Sequence, residues 1–116
     1  MMNKDTLFLL DAHTVIEAGK PRYCPDTALV AGYLSFYPAV RTHIEVRNVS
    51  PVRPRKDIVE LLGPDHQGAP VLMLASESRL PPHVVAQETN GHRFIDDPKQ
   101  ILAYLGATVA GAGLPL

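Results

Sequence analysis

Short apolar runs, interrupted by prolines and glycines, divide the chain into alternating strands and helices. Four runs have the length or the two-residue alternation of strands, and they cover residues 6–10, 43–49, 70–74 and 93–95. In the second run, Ile44, Val46 and Asn48 share one face. The third run begins at Pro70, a position in a strand where a missing backbone N–H is tolerated.

Apolar residues at helical spacing predict three helices. The first begins at Pro25 and is ended by Pro38, the second covers 57–62, and the third runs from Pro98 to Gly106. The first helix has an unusually wide apolar surface, which predicts that it is covered on more than one side. That surface comprises Leu29, Val30, Tyr33, Leu34, Phe36 and Tyr37.

The first and third helices have recognisable start signals. A proline at the first helical position needs no N–H partner, so Cys24 is the predicted N-cap of the first helix. Asp97 is the predicted N-cap of the third helix, and Gln100 at the third helical position would complete a capping box.

The remaining segments are predicted to be irregular. Residues 11–22 form a loop, and the long polar segment 75–91 contains one helical turn at 83–87 and is functional or mobile. The resulting order, β-α-β-α-β-β-α, predicts an α/β fold with a four-stranded mixed sheet covered on both faces. The first two strands would be parallel and the last two antiparallel. A single domain is expected over 1–106, followed by a flexible C-terminal tail, 107–116.

Composition narrows the class of protein. The chain has 116 residues, of which 46% are hydrophobic and 20% charged, so it can form a globular core. Its formal charge of −1 argues against a non-specific nucleic-acid binder, which needs a basic excess. No run approaches the length of a membrane helix, and one cysteine allows no disulfide framework. We therefore expect a soluble, cytoplasmic protein.

Three motifs in this order resemble the thioredoxin fold. Residues 23–27, Tyr-Cys-Pro-Asp-Thr, resemble the Cys-Pro-x-Cys of glutaredoxins, and still more the single-cysteine version in omega and lambda glutathione transferases. Residues 69–72 resemble the cis-proline strand of both groups, and 94–105 the closing strand and helix of transferase N-terminal domains. The resemblance covers residues 4–106. The whole sequence is also similar to a small bacterial family of unknown function.

The resemblance implies a thiol-dependent site that takes glutathione or a thiol-bearing peptide. Cys24 would be the nucleophile, with Thr27 beside it, and a cis Pro70 would bring the Ala69 backbone close to the sulfur. The implied ligand-binding residues are Tyr23, Pro25, Arg53, Ala69, Pro70, Asp96 and Asp97.

Two departures from those families bear on function. Thr27 occupies the place of the second cysteine, so any redox cycle must use one thiol and an external thiol that resolves the mixed disulfide. Pro98 occupies the place of the serine that anchors glutathione, and proline offers neither a hydroxyl nor an N–H. The helical domain of the transferases does not follow residue 106.

The residues themselves support a reactive Cys24 and leave alternatives open. A thiol at a helix N-terminus is stabilised as thiolate by unpaired N–H groups, and Lys20 and Arg22 act in the same direction while Asp26 opposes them. The alternative is a small buried residue beside a capping proline. The Thr27 hydroxyl could donate to the thiolate or bond back to the helix backbone.

Charged and metal-ligating residues also allow two interpretations. Arg53, Arg55 and Lys56 could bind a carboxylate or form a solvated basic face, and Asp97 could bind an amino group or only cap its helix. The histidines are scattered (His13, His43, His66, His83, His92), so no metal is expected, although Cys24 with His13 and one more ligand stays open. Tyr33, Tyr37 and Tyr104 are predicted core or rim residues.

Two functions from different classes follow. The first is a monothiol, glutaredoxin-like or transferase-like enzyme that forms a mixed disulfide at Cys24. The second is a non-catalytic binding module that holds a peptide or partner protein in the same groove. A homodimer is a further hypothesis, with Tyr37 and the segment 75–91 as contact surface.

Overall fold

A computed structural model describes residues 4–12 and 14–116 and has a mixed α/β fold. The main sheet contains β1 (Thr6–Leu10), β4 (Glu45–Val49), β5 (Val71–Met73), β6 (Gln87–Thr89) and β7 (His92–Ile95). A separate two-stranded sheet contains β2 (Val15–Glu17) and β3 (Lys20–Arg22). The helices are α1 (Pro25–Phe36), α2 (Val40–His43), α3 (Lys56–Leu62) and α4 (Pro98–Thr108).

The main sheet has the strand order β4-β1-β5-β7-β6. β1 pairs with β4 in parallel, and all other pairs in the sheet are antiparallel. The parallel first pair and the mixed sheet confirm the sequence prediction. Parallel neighbours need a crossover connection, and the segment that contains α1 and α2 provides it between β1 and β4.

The predicted strand count was wrong, because two hairpins form in segments expected to be irregular. β6 pairs with β7 across Asn90 and Gly91, whose φ angles of 53° and 78° suit a tight hairpin turn. The sheet therefore has five strands rather than four, and the helical turn expected at 83–87 is absent. β2 and β3 form the second hairpin inside the predicted loop 11–22.

The core lies on both faces of the sheet because β1 is buried on both sides. Leu7 and Leu9 face α1 and α4, whereas Phe8 faces α3. The α1/α4 side is the larger and includes Val30, Leu34, Leu72, Leu74, Ile95, Ile101 and Leu105. The α3 side includes Val49, Ile58, Leu62, Val71, Met73 and Phe94. Among the described helices, none is long and apolar enough to cross a membrane.

The sheet and α4 both cover α1, but part of the wide apolar surface that predicted this cover stays exposed. The buried residues of α1 are Thr27, Val30, Tyr33 and Leu34, which face the sheet and α4. Leu29 and Phe36 point away from the sheet and are 48% and 81% exposed. With the C-terminal residues Leu114 and Leu116, they line an apolar groove.

The segment after α4 packs on the helices through glycines. The Tyr33 hydroxyl donates to the Gly113 carbonyl oxygen at 2.8 Å, and a side chain at Gly113 would collide with Tyr37. A Cβ at Gly106 would collide with the same Gly113 carbonyl. α4 ends at Thr108, two residues past the predicted domain end at 106. The division of the chain into a domain and a flexible tail stays a prediction.

Replacing Gly106 by alanine is expected to lower the free energy of unfolding by about 1 kcal/mol, because the added methyl displaces the Gly113 backbone. Gly32 is the matched control: it lies inside α1, and a methyl group added there would meet open space, so Gly32→Ala should raise stability by about 0.5–1 kcal/mol. Urea denaturation measures both. Equal stabilisation by the two alanines would contradict the packing of the tail on α4.

Asp5 ties the segment after β5 to the core. Its Oδ1 accepts from the Ala75 N–H at 2.7 Å and from the Ser78 hydroxyl at 2.5 Å, and its Oδ2 accepts from the Tyr104 hydroxyl at 2.5 Å. Arg93 donates to the carbonyl oxygens of Ala75 and Ser78 from the other side. Burial and the hydrogen bond to Asp5 raise the pKa of Tyr104 well above its usual value, so this hydroxyl stays protonated as a donor.

Candidate functional site

Cys24 is the N-cap of α1, as predicted. Its backbone is extended, with φ −86° and ψ 118°, and Pro25 follows at the first helical position. The sulfur accepts from the Thr27 backbone N–H at 3.5 Å and lies 3.9 Å from the Ala69 carbonyl oxygen. The residue is half-buried and its thiol is free. The sulfur is therefore held by helix geometry at a place that solvent still reaches.

The Thr27 hydroxyl has neither of its two predicted roles. It accepts from the Leu10 backbone N–H at 3.3 Å, which links α1 to the end of β1. Thr27 lies on the sheet-facing side of α1 and is buried, so its hydroxyl points toward the strand instead of the sulfur. Its backbone N–H, rather than its side chain, contacts Cys24.

The sulfur borders a cleft that we call the thiol cleft. Its volume is about 290 Å³, and it opens where α1 meets the ends of β1 and β4. Tyr23, 67% exposed, stands at its rim, whereas Pro25 is exposed at the helix start. The lining residues are Leu9, Leu10, Asp11, Ala12, Tyr23, Cys24, Thr27, Ala28, Ala31, Arg41 and Asn48.

The Ala69–Pro70 segment lies on the other side of the sulfur. The peptide bond between the two residues is cis, Pro70 is buried, and β5 begins at the next residue. The Ala69 carbonyl oxygen faces Cys24, as the resemblance to the thioredoxin fold implied. Cys24 and Ala69 are in contact although they lie 45 positions apart in the sequence.

Arg55 supports this segment, a role that the sequence, which only placed it in a basic run with Arg53, did not indicate. Its guanidinium donates to the Gln67 carbonyl oxygen at 2.7 Å and to the Pro51 carbonyl oxygen at 2.9 Å. The Arg55 backbone N–H donates to the side-chain oxygen of Gln67 at 2.9 Å. Burial lowers the pKa of Arg55 and the neighbouring Arg53 lowers it further, while the charge of Cys24 opposes both.

Arg53 and Asp96, predicted separately as ligand-binding residues, meet at one cavity. This polar cavity has a volume of about 170 Å³ and lies beside Gly68, one residue before Ala69. The Asp96 carboxylate accepts from the Gln87 side-chain amide at 2.8 Å. The lining residues are Arg53, Leu62, Asp65, His66, Gln67, Gly68, Val71, Phe94 and Asp96.

Asp97 caps α4 and lines neither the thiol cleft nor the polar cavity. Its side chain accepts from the Lys99 N–H at 3.3 Å, which confirms the predicted N-cap. The predicted capping box was wrong, because the Gln100 side chain accepts from the Val85 N–H at 3.0 Å instead of turning back to Asp97. Gln100 thereby fastens the segment before β6 to the helix.

Arg22, whose charge was expected to favour the Cys24 thiolate, is paired with an acidic residue. Arg22 forms an ion pair with Glu17 across the β2–β3 hairpin, at 2.9 Å, which offsets its charge. Among the described residues, no three His, Cys, Asp or Glu side chains are close enough together to hold a metal ion. The alternative set containing His13 lies outside the described residues.

Comparison with known proteins gives a family and no activity. No curated protein matches this chain, and no solved structure matches it. The family described as a protein of unknown function, DUF3088, matches residues 4–112. That match covers nearly the whole chain and confirms the expected similarity to a family of unknown function. The chain therefore belongs to the DUF3088 family.

Proposed function

We propose that this protein is a monothiol thiol–disulfide exchange protein with a thioredoxin-like fold, in which Cys24 forms the mixed disulfide. Four features support the fold assignment: the strand order β4-β1-β5-β7, the parallel β1–β4 pair, the cysteine at the start of α1, and the cis Ala69–Pro70 bond before β5. On this proposal, β6 is an addition at the sheet edge and β2–β3 an insertion before α1.

The single observation that carries the function is the position of the Cys24 sulfur. It accepts the Thr27 N–H at the start of α1, lies beside the Ala69 carbonyl oxygen and borders the thiol cleft. The thiolate form of a cysteine is the one that attacks disulfides. The thiolate forms a new S–S bond to one sulfur of a disulfide while the old S–S bond breaks and the second sulfur leaves as thiolate. An external thiol then displaces the bound half and restores Cys24.

Glutathione is the proposed partner because the polar cavity offers groups for its γ-glutamyl end, which carries a carboxylate and the α-amino group on the same carbon. The Arg53 guanidinium suits a carboxylate, and the Asp96 carboxylate suits the α-amino group. The cavity is next to Gly68, and the Ala69 carbonyl oxygen between the cavity and the sulfur can accept from the backbone of an extended ligand. A reducing compartment such as the cytoplasm would keep the single thiol free.

Oxidised glutathione tests this proposal directly. The protein should gain one glutathionyl group at Cys24, measured by intact mass, and reduced glutathione should remove it. Cys24→Ser should gain none. Arg53→Gln should slow adduct formation up to about fivefold, since Arg53 is exposed and an exposed charge pair contributes at most about 1 kcal/mol. Arg47→Gln, which removes a charge paired with Glu45 on the edge strand, is the control and should leave the rate unchanged.

A binding module is the second candidate, favoured by Thr27 in place of a resolving cysteine and by Pro98 at the start of α4. A thiol that takes no glutathionyl group under these conditions, in a protein that is folded by circular dichroism, would contradict exchange and support this candidate.

A further inference from the structure

The thiol cleft extends away from the polar cavity, toward the edge strand β4. Asn48 pairs in register with Leu9 of β1, and both residues line the cleft. Asn48 lies two residues after Val46, which packs against the core on the α1 side, so the amide is on the same face of the strand, where it is exposed at the cleft. A polar side chain stands where the alternation of β4 would place an apolar one.

The cleft exists because α1 presents small residues to this edge. Ala28 and Ala31, three positions apart and therefore on one face of the helix, form its wall. Side chains of ordinary size at these two positions would occupy the space between α1 and β4. At about 290 Å³, the cleft is at the lower end of the range for small-molecule sites, so its ligand must be small.

Two opposite charges line the cleft at different places. Arg41 extends from α2, and Asp11 follows β1. Neither takes part in an ion pair within the described part of the chain, where the ion pairs are Arg22–Glu17 and Arg47–Glu45. Because the two groups do not neutralise each other, together they complement a ligand with one negative and one positive group.

We propose that the thiol cleft binds a small disulfide of the amino-acid class, of which cystine is the simplest. Arg41 and Asn48 hold the carboxylate, Asp11 holds the ammonium group, and the disulfide faces Cys24. This inference rests on the proposed function, since Cys24 must be reactive. The Cys24 thiolate forms a bond to the nearer sulfur, the ligand S–S bond breaks, and the departing half leaves as thiolate and takes a proton from water.

Charge-selective alkylation tests the carboxylate site separately from thiol reactivity. Iodoacetate and iodoacetamide attack the same sulfur, but only iodoacetate carries a carboxylate. Arg41→Gln should lower the ratio of the iodoacetate rate constant to the iodoacetamide rate constant about threefold, which is the effect expected from losing one exposed charge pair. Arg47→Gln removes a charge from the neighbouring, opposite-facing position of β4 and should leave the ratio at the wild-type value.

The outcomes separate the two proposals. If Cys24 reacts with neither reagent, the proposed function fails. If it reacts with both and Arg41→Gln leaves the ratio unchanged, the exchange function stands and the cleft assignment is overturned.

Exchange with two disulfides then tests the amino-acid class. Cystine carries carboxylates and ammonium groups, whereas cystamine carries only ammonium groups. Relative to the wild-type protein, Arg41→Gln should react with cystine about threefold more slowly and with cystamine at the same rate. Asp11→Asn should react more slowly with both disulfides. Equal slowing of both disulfides by Arg41→Gln, or no effect of Asp11→Asn on either, would contradict a zwitterion site.

Discussion

Replacing Phe94 by alanine is expected to lower the free energy of unfolding by about 3–5 kcal/mol, the usual cost of removing a buried aromatic side chain. Phe94 is 1% exposed and packs on the α3 side of the sheet with Phe8, Ile58 and Met73. Its ring also meets the His66 ring edge-on, with centroids 5.5 Å apart, at the wall of the polar cavity. The substitution therefore removes core packing and one wall of the proposed glutathione site together.

Phe36 provides a control of identical chemistry. It lies in α1 and is 81% exposed, so Phe36→Ala should change the free energy of unfolding by less than about 0.5 kcal/mol. Urea denaturation followed by circular dichroism measures both variants. Similar losses for the two phenylalanines would contradict the assignment of Phe94 to the core and of Phe36 to the surface.

Replacing Asp5 by alanine is expected to cost about 3 kcal/mol or more, because three donors lose their acceptor in a buried place. These donors are the Ala75 N–H, the Ser78 hydroxyl and the Tyr104 hydroxyl. The Ala75–Ser78 turn would then be held mainly by Arg93, which contacts its carbonyl oxygens and not its donors. We expect faster amide hydrogen exchange in this turn as well as lower global stability.

Two further variants divide this effect between its parts. Tyr104→Phe removes one donor and keeps the other two bonds, so its loss should be about 1 kcal/mol. Asp5→Asn keeps the shape but replaces one acceptor by an NH₂ donor, so its loss should lie between the other two. A loss below that of Tyr104→Phe for Asp5→Ala would contradict the role of the carboxylate as a shared acceptor.

Helix starts and strand cores could be predicted because their signals are local. Pro25 after Cys24 and Pro98 after Asp97 predicted both N-caps. Proline suits the first helical position because its φ angle is fixed near the helical value and no N–H is needed there. Asn90-Gly91 is a typical sequence for a tight turn, and both residues have the positive φ angles that such a turn needs. The strand β6, which this turn joins to β7, was missed because its residues are polar and two of the three are exposed on the sheet edge.

The candidate site could be predicted only in part. Cys24 and Ala69 were expected to meet, but through a resemblance and not through any pattern in the residues themselves. The supporting role of Arg55 was not visible, because its partners at Pro51 and Gln67 are defined by how the chain folds around α3. Gln100 looked like a capping residue because the alternative partner, Val85, is fifteen residues away.

The sequence by itself determined the α/β class, the parallel first pair of strands, the two capped helices and the single thiol at a helix start. These depend on propensities and periodicities that act over a few residues. Only the tertiary structure decided which polar residues share a cavity: Arg53 with Asp96 on one side of Ala69, and Arg41 with Asp11 and Asn48 on the other. Such groupings join residues that lie far apart in sequence, and no local preference specifies them.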